Sequence, residues 1–328
     1  MSSEDRQPLA STLEEAAAPE RRAQGHLSRA WSRLLRKRLA MVCLVTLAFI
    51  YSAGILAPLI TPYNYTDQDY TVIRKPPSLS HWAGTDLKGR DVLTRVMWGI
   101  QNTVIITAIA MITGGLLIGV TLGLISGYFG RWIDSLIMRT GEVFASFPDI
   151  LLVIIIAATL GPRIRDLMRW LEDNTFLSGL VSSGVADYLV ISFALVSFGW
   201  IGMARLVRGQ VLYLKATQYV ESAQATGAKT SRILFVHLLP NAISPIIVSV
   251  SMSMGGIVGA EIILSWLGLG IQPPRPSLGN MLLEAGSLSA LREVPWMLLT
   301  PGIVAWTLVL CWNLLGDSLN DVLNPRTR

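Results

Sequence analysis

The sequence predicts an all-α membrane protein with six transmembrane helices and both termini in the cytoplasm. Three observations carry that expectation. The 328 residues are 52% hydrophobic and only 15% charged, with a mean hydropathy of +0.50, whereas a soluble globular chain carries about 25% charged residues. Apolar runs near the length a bilayer needs, about twenty residues, stand out at Leu39–Ile60, Ile100–Ile125, Leu189–Met203 (continuing through Leu212), Ile243–Leu267 and Met297–Leu315. A sixth, Ile150–Leu160, is short and must borrow from the more polar segment before it; five helices is the alternative count. With the N-terminus inside, seventeen of the 27 Lys and Arg residues fall on the cytoplasmic side and ten outside, the bias that orients membrane proteins.

The leading segment, 1–30, reads as a cytoplasmic tail. Met1–Gln24 is rich in Ala, Glu and Arg, a composition that cannot bury a core and is expected to be disordered. It is no cleavable signal: the polar lead is too long, and no small-residue cleavage site follows the first apolar run. Trp31, Arg33, Arg36, Lys37 and Arg38 then sit where lipid headgroups would anchor the first helix. The net charge of +5 is thereby used up on membrane lipid, with no basic groove for nucleic acid. Cys43 and Cys311 both fall in apolar runs and offer neither metal spacing nor a disulfide framework.

Residues 31–98 hold the first span and an outer loop containing HWAGTDLKGRDVLTRVMWG, His81–Gly99. Gly84 and Gly89 permit turns, Asp91 is placed to cap a helix, and Val92, Leu93, Val96, Met97 and Ile100 follow at helical spacing. The transmembrane core, 99–317, begins with a glycine-rich span (Gly114, Gly115, Gly119, Gly123, Gly127) suited to close backbone approach. The third span carries Asp134, Arg139, Glu142 and Asp149 ahead of its apolar run. Arg139 and Glu142, three apart, can pair across one turn. If that helix exits near Leu160, Asp149 lies eleven residues, about 16 Å, below the exit. An ionisable group at that depth faces a water-filled path or a partner within the bundle. Asp149 is therefore a translocation-path candidate, with Pro148 a kink before it. Glu261, nearer the outer end of the fifth span, is a second, with a structural hydrogen bond as its alternative.

Between the third and fourth spans, 163–187 reads as an amphipathic insertion lying on the outer surface, with Ile164, Leu167, Met168 and Leu171 on one side. Pro273, Pro274 and Pro276 stiffen the last outer loop, and 318–328 forms a cytoplasmic tail.

One long inner loop remains, 205–240. Gly227 is a natural helix stop, Thr230 or Ser231 can cap a second helix, and Pro240 can open the next span. The loop thus predicts two short helices meeting at a glycine. Val220, Ala223 and Ala225 give the first a small-residue surface better suited to a protein groove than to lipid.

Glu221-Ser222-Ala223, Gly227 four residues on, and Leu239-Pro240 thirteen after that resemble the EAA loop of ABC-importer permeases. Ser222 stands where alanine is usual. Five separated segments, GTDLKGRDVLTRVMWG, GYFGRWID…MRTGEVFASFPDILL, YVESAQATGAKTSRILFVHLLPN, EIILSWLGLGIQPPRPSLGNML and NLLGDSLNDVLNP, occur in the order of the dipeptide/oligopeptide permease group, second-subunit type. Arg131, Glu142 and Asn320 depart from its usual residues, and the insertion after Arg163 is longer than usual.

The resemblance implies a type I ABC importer permease fold in a bacterial cytoplasmic membrane. It implies a homologous second permease, two cytoplasmic ABC ATPase subunits and an extracytoplasmic binding protein as partners. Val220, Glu221, Ser222, Ala223, Thr226 and Gly227 become the coupling contact with the ATPase, with His237, Leu239 and Pro240 completing the loop. ATP and Mg are expected at those partners and no cofactor in this chain. GAKT, Gly227–Thr230, lacks the upstream glycine and adjacent Gly-Lys of a phosphate loop. The expected cargo is a di- or oligopeptide, with nickel, glutathione or oligosaccharide as alternatives within the family. A secondary transporter is the rival class, but no internal repeat or ionisable relay supports it. His26, His81 and His237 lie too far apart in sequence to suggest an enzyme site.

Overall fold

The computed structural model describes residues 32–175, 179–180 and 183–323. The tail expected at 1–30, part of the 163–187 insertion and the last residues of the closing tail lie outside them. In chain order the helices are α1 (Arg38–Ile55), α2 (Val92–Phe129), α3 (Arg131–Ala145), α4 (Asp149–Asn174), α5 (Val185–Lys215), α6 (Gln218–Ala225), α7 (Thr230–Trp266), α8 (Leu278–Glu284), α9 (Leu288–Glu293) and α10 (Trp296–Leu323). Five of them, α1, α2, α5, α7 and α10, are long and apolar enough to cross a membrane. The pair α3–α4 adds a sixth crossing if counted as one span, but it is bent by 88°. Among the described residues no strand forms, and Thr85 and Asp91 make an isolated bridge.

The helices pack through the faces the sequence provides. On α1, Ala40, Cys43 and Leu47 are buried while Val42, Val45 and Phe49 stay exposed, as a lipid-facing side requires. Gly54 lets α1 touch α2: a Cβ there would lie 2.5 Å from Ile100 Cγ2. The glycine ladder of α2 does the same against α5. A Cβ on Gly119, Gly123 or Gly127 would come within 2.7 Å of Met203, Ala204 or Val211 respectively. Lipid supplies no hydrophobic drive between helices, so this close approach is what holds α2 to α5. Within α2 the stretch Met111–Val120 winds as a wider π-helix.

Two ion contacts show which helix ends share a side. Lys37 Nζ meets Asp321 Oδ2 at 2.9 Å, joining the start of α1 to the end of α10. Lys215 Nζ donates to the Tyr128 carbonyl at 3.2 Å, joining the ends of α5 and α2.

Several sequence expectations change. The first span ends at Ile55, followed by a separate turn of helix at Ala57–Ile60. The third span is not one kinked helix: the chain breaks at Ser146–Pro148, where Pro148 is extended (φ −60°, ψ 120°) and lacks the amide a continuing helix needs. Downstream, the helix does not stop at Leu160. It continues through Pro162 to Asn174, so the first part of the 163–187 insertion is the end of α4. The second short helix expected after Gly227 is the start of α7, which runs on through a π-helical stretch at Ile233–Leu238. Pro240 is therefore inside that continuous helix rather than at its beginning. Lys229, not Thr230 or Ser231, is the N-cap, and no side chain caps this end.

Candidate functional site

The loop between α5 and α7 is largely exposed. Thr217 turns extended after α5 (φ −92°, ψ 146°), and α6 begins at once. Val220 is fully buried among Val207, Val211, Ile233, Leu234 and Leu238. Burying a valine contributes about 1.5–3 kcal/mol, so this one side chain pegs α6 to the bundle. Its neighbours Glu221, Ser222, Gln224 and Ala225 remain exposed, and Ala223 is half-buried. Glu221 lies in the first turn of α6, where the helix dipole favours a carboxylate.

The end of α6 is closed by two backbone bonds. The Ala228 amide donates to the Ala223 carbonyl at 3.0 Å, and the Gly227 amide to the Gln224 carbonyl at 2.9 Å. This is a Schellman closure, which needs a left-handed residue at Gly227, and its φ is +78°. Thr226 Oγ1 adds a bond to the Ser222 carbonyl at 3.1 Å. The turn bounds a cavity of ≈ 650 Å³ lined by Ser222, Ala223, Thr226, Gly227, Arg232 and His237. The structure thus brings five of the sequence-derived loop residues around one notch. Leu239 instead packs inward against the cluster around Val220, and Pro240 is exposed on α7.

A clamp that the sequence reading missed supports this loop from behind. Arg208 on α5 grips Asp134 on α3 through Nε at 2.5 Å and Nη2 at 2.7 Å, a bidentate pair. Ser126 of α2 donates to the same carboxylate at 2.5 Å. The available signal was only the presence of Asp134 and Arg208 beside apolar spans; 74 residues separate them. The expected Arg139–Glu142 pair does form, at 3.1 Å, but it is exposed and adds little.

The two path candidates occupy different settings. Asp149 stands in the first turn of α4, exposed, immediately after the bend. Because α4 runs on to Asn174, it does not end near Leu160, the point from which the depth of Asp149 is reckoned. Glu261 is fully enclosed on α7, accepting from Thr103 Oγ1 at 2.8 Å and Ser265 Oγ at 2.9 Å. The two carboxylates are not brought into one site.

At the opposite end of the bundle the GTDLKGRD segment forms a compact knot. Asp91 caps α2, accepting from the Thr94 amide at 2.7 Å, as its position predicts. Asp86 accepts from Arg90 Nε at 2.6 Å and Arg95 Nη1 at 2.7 Å, while both arginines reach Glu284 of α8 at 3.0 and 2.7 Å. Burial raises the Glu284 pKa, but the two guanidinium groups outweigh it and hold the carboxyl below its ordinary range. Gly89 makes the knot possible, since a Cβ there would fall 2.0 Å from the Asp69 carbonyl oxygen.

A bundle of five helices able to cross a membrane plus one bent pair, with the short exposed helix α6 between α5 and α7, defines a multi-pass membrane component. Residues 119–328 match the family described as binding-protein-dependent transport system inner membrane component, and the chain belongs to that family. Residues 26–77 match the N-terminal TM domain of oligopeptide transport permease C. The dipeptide transport system permease protein DppC of Alkalihalophilus pseudofirmus is 36% identical over 91% of this chain and 90% of its own length. The oligopeptide transport system permease protein OppC of Bacillus subtilis is 36% identical over 90% of this chain and 88% of its own. The glutathione transport system permease protein GsiD of Pectobacterium atrosepticum is 36% identical over 91% and 90%. The chain is accordingly an inner-membrane, multi-pass transporter permease.

Proposed function

We propose that this chain is one permease of an ATP-driven importer that carries di- or oligopeptides across the cytoplasmic membrane by alternating access. It pairs with a homologous permease, two ATPase subunits on the cytoplasmic side and a binding protein outside. In this reading the end bearing α6 is cytoplasmic, along with both termini. ATP and Mg act at the ATPase partners, and this chain binds no cofactor and catalyses no reaction.

The observation that carries the reading is the construction of α6. One buried valine fixes it and a Schellman turn ends it, while Glu221, Ser222, Ala223 and Thr226 are left to meet another surface. A force applied there passes through Val220 into α5 and α7, and through Arg208 into α3. That route links ATPase closure to rotation of the crossing helices. Relatives named for dipeptides, oligopeptides and glutathione are equally similar, which supports a short peptide as the cargo class.

The test combines Glu221→Lys with Gly227→Asp in the complete complex. The variant chain should insert and pair with the second permease, while ATPase subunits no longer co-purify. Recovery of the ATPases at wild-type stoichiometry would contradict the docking role.

A further inference from the structure

Two cavities open beside α7 and meet. One, of ≈ 260 Å³, lies midway along the bundle, where Met111 and Gly115 of α2 face Gly199 and Gly202 of α5 across Ser249 and Ser253 of α7. The other, of ≈ 510 Å³, is lined by the same two serines together with Gln210, Ser244 and Asn320. Gln210 and Asn320 lie close to the ends of α5 and α10, so the second cavity leads toward the end that carries α6.

The polar groups along this trough are unsatisfied in a consistent way. Gln210, Ser244, Ser249, Ser253 and Asn320 make no side-chain hydrogen bond among the described residues. Several hydroxyls elsewhere in the spans turn back to their own helix, Thr107 to the Thr103 carbonyl at 2.7 Å, Ser197 to Phe193 at 2.8 Å and Ser251 to Ile247 at 3.1 Å, while Ser192 on α5 is a lone buried hydroxyl without a partner. A polar group left free against hydrocarbon costs several kcal/mol, so this face is built for water or a polar cargo rather than lipid tails. It also has room, because nothing lies within 4 Å of a Cβ placed on Gly199 or Gly202. Among the described residues, no ionisable side chain lines either cavity. Asp149 and Glu261 are absent from both linings.

We propose that Ser249 and Ser253 contact the peptide main chain as it passes along this trough. Gln210 and Asn320 offer the next hydrogen bonds on the way to the cytoplasm. Hydroxyl and carboxamide groups both donate and accept, so they match backbone amides and carbonyls of any sequence. The lack of a fixed charge leaves peptides with acidic, basic or neutral side chains equally admissible. This assignment rests on the importer reading above and adds the residues that meet the cargo.

The experiment uses the complete importer in vesicles, with Cys43 and Cys311, both buried, replaced by serine. Single cysteines at Ser249 and Ser253 are exposed to a membrane-impermeant methanethiosulfonate on the α6 side. Phe49→Cys on the lipid-facing side of α1 is the control. The trough cysteines should react about tenfold faster or more, because the reactive thiolate forms only where water reaches. A transported dipeptide should slow the reaction, and modification should abolish ATP-driven uptake. Ser253→Trp should block uptake while the complex still assembles, and Ser253→Ala should preserve it.

Labelling no faster than Phe49→Cys, spontaneous cross-linking to the partner permease, or full uptake after modification would each overturn the assignment. Uptake by the cysteine-free complex separates the two readings. If that complex does not take up peptide with ATP, the importer reading fails; if it does and the serines stay unreactive, only the trough fails.

Discussion

Glu284 closes α8 over two arginines that are themselves 7% and 3% exposed, and its charge has a measurable consequence. Because Arg95 and Arg90 outweigh the burial penalty, its folded pKa lies below the ordinary 4.5. A carboxyl depressed on folding contributes stability above its unfolded pKa and loses it as pH falls through the folded value. The thermal midpoint of the detergent-solubilised protein should therefore drop on acidification below about pH 4.5. Glu284→Gln should lower the neutral midpoint and flatten that acid limb. An unchanged acid limb in Glu284→Gln would place the titration elsewhere. Gly227 teaches a second lesson at this scale. Its empty surroundings mean that φ +78°, and not space, selects glycine, which is why its role could be read from the sequence at all.

Among the elements, what the sequence revealed and what it hid have physical reasons. Long apolar runs announce crossing helices because hydrocarbon admits little else, and α1, α2, α5, α7 and α10 follow them closely. The α2 glycines announced tight packing because only backbone contact uses them. The bend between α3 and α4 was half legible: Pro148 marks an interruption, but no local rule sets an angle of 88°. Beyond the break, α3 is tied to α5 by Arg208 on Asp134, a contact between residues far apart in sequence. The start of α7 misled for the opposite reason. Pro240 looks like a helix opening, yet the wider turn at Ile233–Leu238 precedes it and the helix runs through. The trough was invisible because serines at helical spacing carry no signal until three helices enclose them. If Arg208 transmits motion from the coupling loop to α3, Arg208→Leu should leave insertion and ATPase binding intact while uptake per ATP hydrolysed falls. Equal coupling ratios in Arg208→Leu and wild type would remove Asp134–Arg208 from the transmission route.

Taken as one machine, the molecule separates three tasks along its length. The Asp86–Arg90–Arg95–Glu284 knot ties α2 to α8 at one end. The proposed trough leads toward the other, where α6 presents an exposed surface held by Val220. In the proposed reading, energy enters from a partner and this chain converts it. The direct test is uptake of a labelled dipeptide into vesicles, comparing the complete complex with this chain alone, with and without ATP and with and without an ion gradient. The account predicts uptake only by the complete complex, only with hydrolysable ATP, and with no response to collapsing the gradient. Gradient-driven uptake by the isolated chain without ATP would contradict it.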